Sequence, residues 1–210
     1  MTLLLKRSPV GHSPRVVPAV QTVGPQPTTA QILRHGDHGL GVLEDCGSFV
    51  IVRGRCYTLL SDFSVEETGR RTRACSAAVT RFRPEQLLAF RRPQTMSQLI
   101  PQLEFGPDDC DALGAFRIDA WFSFVRLQAS NGGSGTARKP VDSDPQVREF
   151  SDIMGTIVGF RNVDADGDGP NASRLNFVDK RRQLGGRVVD FEVLQGRAEL
   201  APLTLAQPRD

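Results

Sequence analysis

At 210 residues the chain is long enough for one compact domain or two small lobes sharing a core. Hydrophobic residues at 39%, charged residues at 24%, 20 glycines and 14 prolines suit a soluble chain rich in turns and strands, and exclude collagen, coiled coil and wholesale disorder. The 26 Lys and Arg against 24 Asp and Glu leave a formal net charge of +2, too weak a field to draw in nucleic acid or an anionic membrane.

Residues 1–27 carry Pro9, Pro14, Pro18, Pro25 and Pro27 without an apolar period, which predicts an extended or disordered arm. Thr28 and Gln31 form a capping-box pattern that opens a short helix through Leu33 and stops at Gly36. Residues 48–52 and 56–60 are β-prone runs around Arg53-Gly54, which reads as a hairpin, and residues 77–82 predict a further strand. Short helical patches are expected at 84–88 and 95–103, the second interrupted by Pro101. Residues 114–127 hold enough aromatic and β-branched side chains for a strand pair, and a Gly- and Ser-containing loop follows at 131–135. Four short strands then close the chain at 155–160, 174–178, 186–193 and 197–200. The fold class is therefore α+β, mainly strands in mixed or antiparallel sheets with a few short helices. The expected domains are the arm over 1–27, an N-terminal sheet lobe over 28–145 and a C-terminal sheet lobe over 146–210.

No apolar run approaches the ~20 residues that cross a bilayer, so the expected location is the cytoplasm, with no membrane partner. The basic groups at Arg70, Arg71, Arg73, Arg81 and Arg83 and at Lys180, Arg181 and Arg182 have acidic residues nearby and few aromatics among them. They read as solvated faces. Cys46, Cys56, Cys75 and Cys110 lack C-x-x-C spacing and read as buried or indifferent thiols. Asp164-Ala165-Asp166-Gly167-Asp168-Gly169 begins like a calcium loop, but its twelfth position is Leu175 rather than Glu, so an acidic turn is expected. Asn171-Ala172-Ser173 is a sequon with no secretory context. Ser48 has no evident His and Asp partners for a nucleophilic triad.

Five segments, in order, resemble the acetolactate decarboxylase family. Leu33-Arg34-His35-Gly36-Asp37-His38-Gly39-Leu40-Gly41 is similar to its L-x-H-G-D-F-G-L-G, and 48–57 to its G-E-L-I-V-L-D-G-x-x-Y hairpin. Phe116-Arg117-Ile118-Asp119 is similar to A-[IV]-R-I-D-G, and Gly155-Thr156-Ile157-Val158-Gly159-Phe160 to G-T-I-V-G-F. Gly185-Gly186-Arg187-Val188-Val189-Asp190-Phe191-Glu192 is similar to G-G-H-V-L-D-[FY]-E. The resemblance runs from about residue 28 to 200 and implies the family's fold, a dimer, and descent from a zinc enzyme that turns acetolactate into acetoin.

It also locates the departures. The family's zinc ligands come from an H-L-H strand and the histidine of G-G-H, and these positions are Arg174, Asn176 and Arg187 here. Guanidinium offers no lone pair, so no metal and no other cofactor is expected. The glutamate of G-E-L is Ser48, and the family's second glutamate comes from a tail that is expected to be cut short at Asp210. Of the placed active-site groups only the arginine remains, as Arg117. Strand alternation would set Arg174 and Asn176 on one face with Arg187 beside them, ready with Arg117 to hold a carboxylate, phosphate or enolate. Alternatively Arg174 and Arg187 swing outward, or pair with Asp164, Asp166, Asp168 or Asp179. His35 is expected to cap or pack. His38 stands where the family has Phe and is the acid/base candidate, with Ser48 and Tyr57 as further proton relays.

The expected function is a metal-independent lyase, dehydratase, isomerase or cyclase acting on a carbonyl- or carboxylate-bearing small molecule, a role that suits specialised metabolism. A non-catalytic pseudoenzyme or anionic-metabolite binder is the alternative, and residual decarboxylation of a β-keto acid is a third reading.

Overall fold

The computed structural model describes residues 26–45, 47–103, 114–130, 146–161 and 174–203, together with the backbone of short strands in the N- and C-terminal segments. In chain order the elements are β1 (Leu3–Lys6), β2 (Arg15–Val17), α1 (Thr29–His35), β3 (His38–Leu43), β4 (Ser48–Val52), β5 (Arg55–Leu59) and β6 (Val65–Glu67). There follow β7 (Ala74–Thr80), β8 (Gln86–Phe90), β9 (Gln94–Thr95), α2 (Met96–Leu99) and a 3-10 turn over Ile100–Leu103. The long strands β10 (Gly114–Gln128) and β11 (Val147–Arg161), then β12 (Arg174–Asp179), β13 (Gly185–Pro202) and β14 (Thr204–Leu205) complete the chain.

The strands form two sheets. One runs β14-β2-β7-β3-β4-β5-β6, and the other runs β1-β8-β13-β10-β11-β12 with β9 paired to β13. All pairings are antiparallel except β14 with β2. The start of β13 also pairs with β12, at Asn176↔Arg187, Phe177↔Gly186 and Val178↔Gly185, so β10, β11, β12 and β13 close into a ring. Phe122, Phe177 and Phe191 fill that ring, the first lying edge-on to the other two. Leu40, Val50, Tyr57, Phe82, Val158, Phe160 and Val178 form the layer between the sheets. On the outer side of the first sheet, Ile32 of α1 packs on Phe49, Ile51 and Val79.

Local chemistry explains several boundaries. Thr28 and Gln31 make both capping-box hydrogen bonds at the start of α1, which ends at Gly36 as expected from sequence. The hairpin between β4 and β5 turns through Arg53 and Gly54, both at positive φ (52° and 78°), as two-residue β-hairpins prefer. Gly159 in β11 lies so close to its neighbours that a Cβ there would sit 2.2 Å from Phe116 Cζ.

Four expectations are corrected. Residues 84–88 form no helix: Gln86–Phe90 is a strand, held by β13 and by burial of Leu88 and Phe90 in the ring-side core. Residues 114–127 are one fifteen-residue strand rather than a pair, and 186–193 with 197–200 are one eighteen-residue strand. Bulges between Trp121 and Phe122, Phe122 and Phe124, and Arg126 and Leu127 break the alternation that would have revealed continuity. The strand expected at 155–160 begins at Val147. Strands β8, β9 and β10 share a sheet with β11, β12 and β13. The expectations for loop 131–135, the acidic turn at 164–169, the sequon, Cys46 and Cys110 lie outside the described residues. No helix among the described residues is long and apolar enough to cross a membrane.

Candidate functional site

Strand β12 sends Leu175 and Phe177 into the ring and turns Asn176 and Val178 toward the first sheet. Alternation puts Arg174, half-buried, on the side of Asn176. Arg187 is the cross-strand partner of Asn176 on β13 and of Gln128 on β10, and it is exposed. The three positions in question thus converge at the junction that closes the ring. Arg174 and Arg187 each have an interaction partner within the fold. Asp179 accepts hydrogen bonds from the backbone N–H groups of Gln183 (2.7 Å), Leu184 (2.8 Å) and Arg181 (3.1 Å), which fixes the turn into β13.

The facing sheet reaches this junction through the start of β4. The Asn176 amide, only 7% exposed, donates to the carbonyl oxygen of Phe49 at 3.2 Å. The neighbouring Ser48 donates its backbone N–H to Ser130 Oγ at 2.6 Å, just beyond β10. In the sequence Ser130 carries no signal beyond its place beside a Gly- and Ser-containing loop. Zinc does not fit this donor set. Two positions are guanidinium groups, the third is a neutral amide already engaged with a carbonyl, and among the described residues no three His, Cys, Asp or Glu gather to hold a metal ion.

Arg117 lies in the same cross-sheet row, since Arg117 pairs with Val158 and Val158 with Asn176. Its charge is matched, however. The guanidinium, 13% exposed, makes a short hydrogen-bonded ion pair with Glu199 and lies 3.5 Å from Asp119. Asp119 also accepts from Thr156 Oγ1 at 2.8 Å and from Arg53 at 3.2 Å, and Arg197 stands 3.9–4.0 Å from both carboxylates. Glu199 is 82 residues from Arg117 in sequence, and only the β10–β13 register brings it opposite.

His38 occupies the packed layer beyond Arg117. It is 1% exposed, stacked on Phe82 at 4.4 Å and tilted against Phe160 at 5.3 Å, and the Arg117 guanidinium caps the same Phe82 ring at 5.1 Å. Burial above all, then the Arg117 charge, pushes its pKa down to about 3, while the nearby backbone of Gly159 and Phe116 offsets a little of this. Neither ring nitrogen has a hydrogen-bond partner of normal geometry. The imidazole is therefore neutral and walled in by aromatic rings. His35 is exposed in the last turn of α1, a helix-end position rather than a core one. Tyr57 is 8% exposed between the sheets, opposite Val50, with the Arg182 guanidinium 5.6 Å from its ring centre. The structure thus brings Ser48, Asn176 and Arg187 to one junction, sets Arg174 on the same strand face, and holds Arg117, His38 and Tyr57 within or along the packed layer.

The family model described as Alpha-acetolactate decarboxylase matches residues 21–207. The alpha-acetolactate decarboxylase of Methanosarcina mazei is 26% identical over 79% of this chain and 59% of its own length, and that of Methylococcus capsulatus is 26% identical over 88% and 76%. Among solved structures, a Staphylococcus aureus protein of unknown function similar to alpha-acetolactate decarboxylase superposes with a TM-score of 0.78, at 20% identity over 93% of this chain and 88% of that one. Alpha-acetolactate decarboxylase from Bacillus subtilis strain 168 gives 0.77, at 20% identity over 95% and 90%. The fold is shared with these structures, and the match over nearly the whole sequence establishes that this chain belongs to the alpha-acetolactate decarboxylase family.

Proposed function

We propose that this family member is a lyase that works without a metal, releasing carbon dioxide from a small β-keto acid. The observation that carries the reading is the placement of Arg187 directly across from Asn176, with Arg174 on the same strand face, at the positions that the family resemblance assigns to zinc ligands. Arginines hold a carboxylate through forked, charge-assisted hydrogen bonds. In the reaction, the bond between the α-carbon and the carboxylate breaks and its electron pair moves onto the adjacent carbonyl. The resulting enolate is protonated at carbon by water to give the ketone, and the hydroxide left behind combines with the carbon dioxide as bicarbonate. The second N–H of the Asn176 amide, the one not directed at Phe49, is available to the enolate oxygen.

Decarboxylation suits these residues better than dehydration, isomerisation or cyclisation, because it asks no side chain to remove a proton and His38 is enclosed. Ser48 borders the junction in this reading, and Tyr57 and Arg117 support it from the packed layer. A second reading, binding of an anionic metabolite without turnover, is favoured by one observation: Glu199 and Asp119 neutralise Arg117, which weakens the electron sink. From the family resemblance we carry over a homodimer, which native mass spectrometry tests, and from the sequence a cytoplasmic role in specialised metabolism.

The deciding experiment incubates the full chain with acetolactate and with simple β-keto acids, with and without chelator, and follows carbon dioxide and ketone by NMR. Release that survives chelation and falls at least roughly tenfold in Arg187→Gln supports the proposal. Saturable binding with no release selects the second reading, and release abolished by chelator overturns the metal-free assignment.

A further inference from the structure

A separate cleft opens at the other end of the β4–β5 hairpin. Arg53 at the hairpin tip lines it, while Ser48 lies five residues away along β4, ~17 Å by strand rise. None of Ser48, Arg174, Asn176 or Arg187 contributes to its wall. Its volume of ≈ 570 Å³ falls within the range of small-molecule sites.

The lining is strongly cationic. Arg53 comes from the hairpin, Arg91 from the segment after β8, and Lys180 and Arg182 from the turn between β12 and β13. Asp119 is the one carboxylate among the described residues that line the cleft, and it is already held by Arg53, Arg117 and Thr156. Arg91 and Lys180 pair with no carboxylate among the described residues. Like charges gathered from separate segments repel one another, so the arrangement favours an anion that several of them can reach at once.

One wall of the cleft is apolar. Trp121 and Met154 are cross-strand partners and remain 37% and 50% exposed, two of the few large hydrophobic side chains among the described residues that face water. The Trp121 indole is held in place by its N–H donation to Asp152 Oδ1 at 2.6 Å. A fixed indole face beside converging cations matches a ligand with a flat or apolar body and a compact, multiply charged head.

We propose that this cleft binds a phosphate monoester with an aromatic or apolar body, independently of the decarboxylation site. Phosphate suits the lining because its three terminal oxygens accept from several donors at once, where a carboxylate offers two.

The test uses a property of the chain itself: Trp121 is its only tryptophan, so indole fluorescence, excited selectively over Tyr57, reports on this wall alone. Phenyl phosphate is titrated into the full-length protein and into Arg91→Gln/Lys180→Gln, with inorganic phosphate and phenol as controls. Broadening of the phenyl phosphate ³¹P resonance gives a second readout that does not depend on the indole. Both substituted side chains are exposed, and a thermal melt confirms that the variant is folded. The expected result is saturable binding of phenyl phosphate, weaker binding of inorganic phosphate, none of phenol, and affinity reduced at least roughly tenfold in the double variant. No saturable response, equal affinity in the variant, or a phenol response matching that of phenyl phosphate would overturn the proposal. Decarboxylase activity is measured in parallel, so failure of one site is distinguishable from failure of the other.

Discussion

Replacing His38 with Phe isolates the energetic consequence of a polar ring placed between aromatic ones. Neither imidazole nitrogen has a partner of normal geometry, only the backbone of Gly159 and Phe116 nearby, and each buried polar atom left unsatisfied costs about 1–3 kcal/mol. Phe removes both and preserves the stack on Phe82 and Phe160, at the expense of a slightly larger ring in a filled layer. A net gain of about 1–3 kcal/mol at pH 7 is expected, which for a chain of this size raises Tm by roughly 3–10 °C. The pH dependence sharpens the test. The folded-state pKa is about 3 against 6.5 for the free side chain, so between these values the unfolded chain binds a proton that the folded chain rejects. Wild-type stability from this group is therefore complete above pH 6.5 and declines by up to ~1.4 kcal/mol per pH unit as acid is added. His38→Phe lacks that decline, so its advantage should widen by about 2 kcal/mol between pH 7 and pH 5. Urea denaturation of both proteins at the two pH values measures it. A variant that is less stable than wild type at pH 7, or an advantage that does not change with pH, would refute the reasoning.

Arg117→Met should lower stability by about 3 kcal/mol, because Glu199, largely buried, is then left with only its looser contact to the half-exposed Arg197, whereas Arg126→Ala should cost less than ~1 kcal/mol, its pair with Glu149 being roughly half exposed. Chemical denaturation of the two variants side by side checks the contrast. Gly159→Ala forces a methyl group against Phe116 and Leu175 and should cost about 1–3 kcal/mol, read as a lower melting temperature; unchanged melting would show that the rings yield. The Cys56 thiol, pushed up to about 11 chiefly by burial, should resist a thiol-specific reagent at pH 8 until the protein is denatured, which peptide mapping of the labelled site reveals.

Features governed by neighbours in sequence were the legible ones. The Thr28 cap and the Arg53-Gly54 turn satisfy local backbone requirements, and the structure follows them closely. Residues 84–88 read as helical because Pro84 and Glu85 resemble a helix start, while the bonds that make a strand there come from β1 and from β13, the latter more than a hundred residues later. Continuity of β10 and β13 was hidden for a related reason, since bulges interrupt the two-residue period where the strands bend. At the candidate site, alternation along β12 and its adjacency to Arg187 could be read from the motifs. The partner of Arg117 could not, because a carboxylate at residue 199 acquires meaning only through cross-strand register. The burial of His38 was equally unreadable, for its walls, Phe82 and Phe160, come from distant segments of the chain.

The double pairing of β13 has a further consequence. A terminal strand such as β12 would ordinarily present bare amide and carbonyl groups on which another polypeptide could template itself. Because Gly185, Gly186 and Arg187 already engage that rim, intermolecular strand addition is blocked there by the protein's own chain. Closure of this sheet rim and the shape of the junction around Asn176 and Arg187 therefore depend on the same three residue pairs.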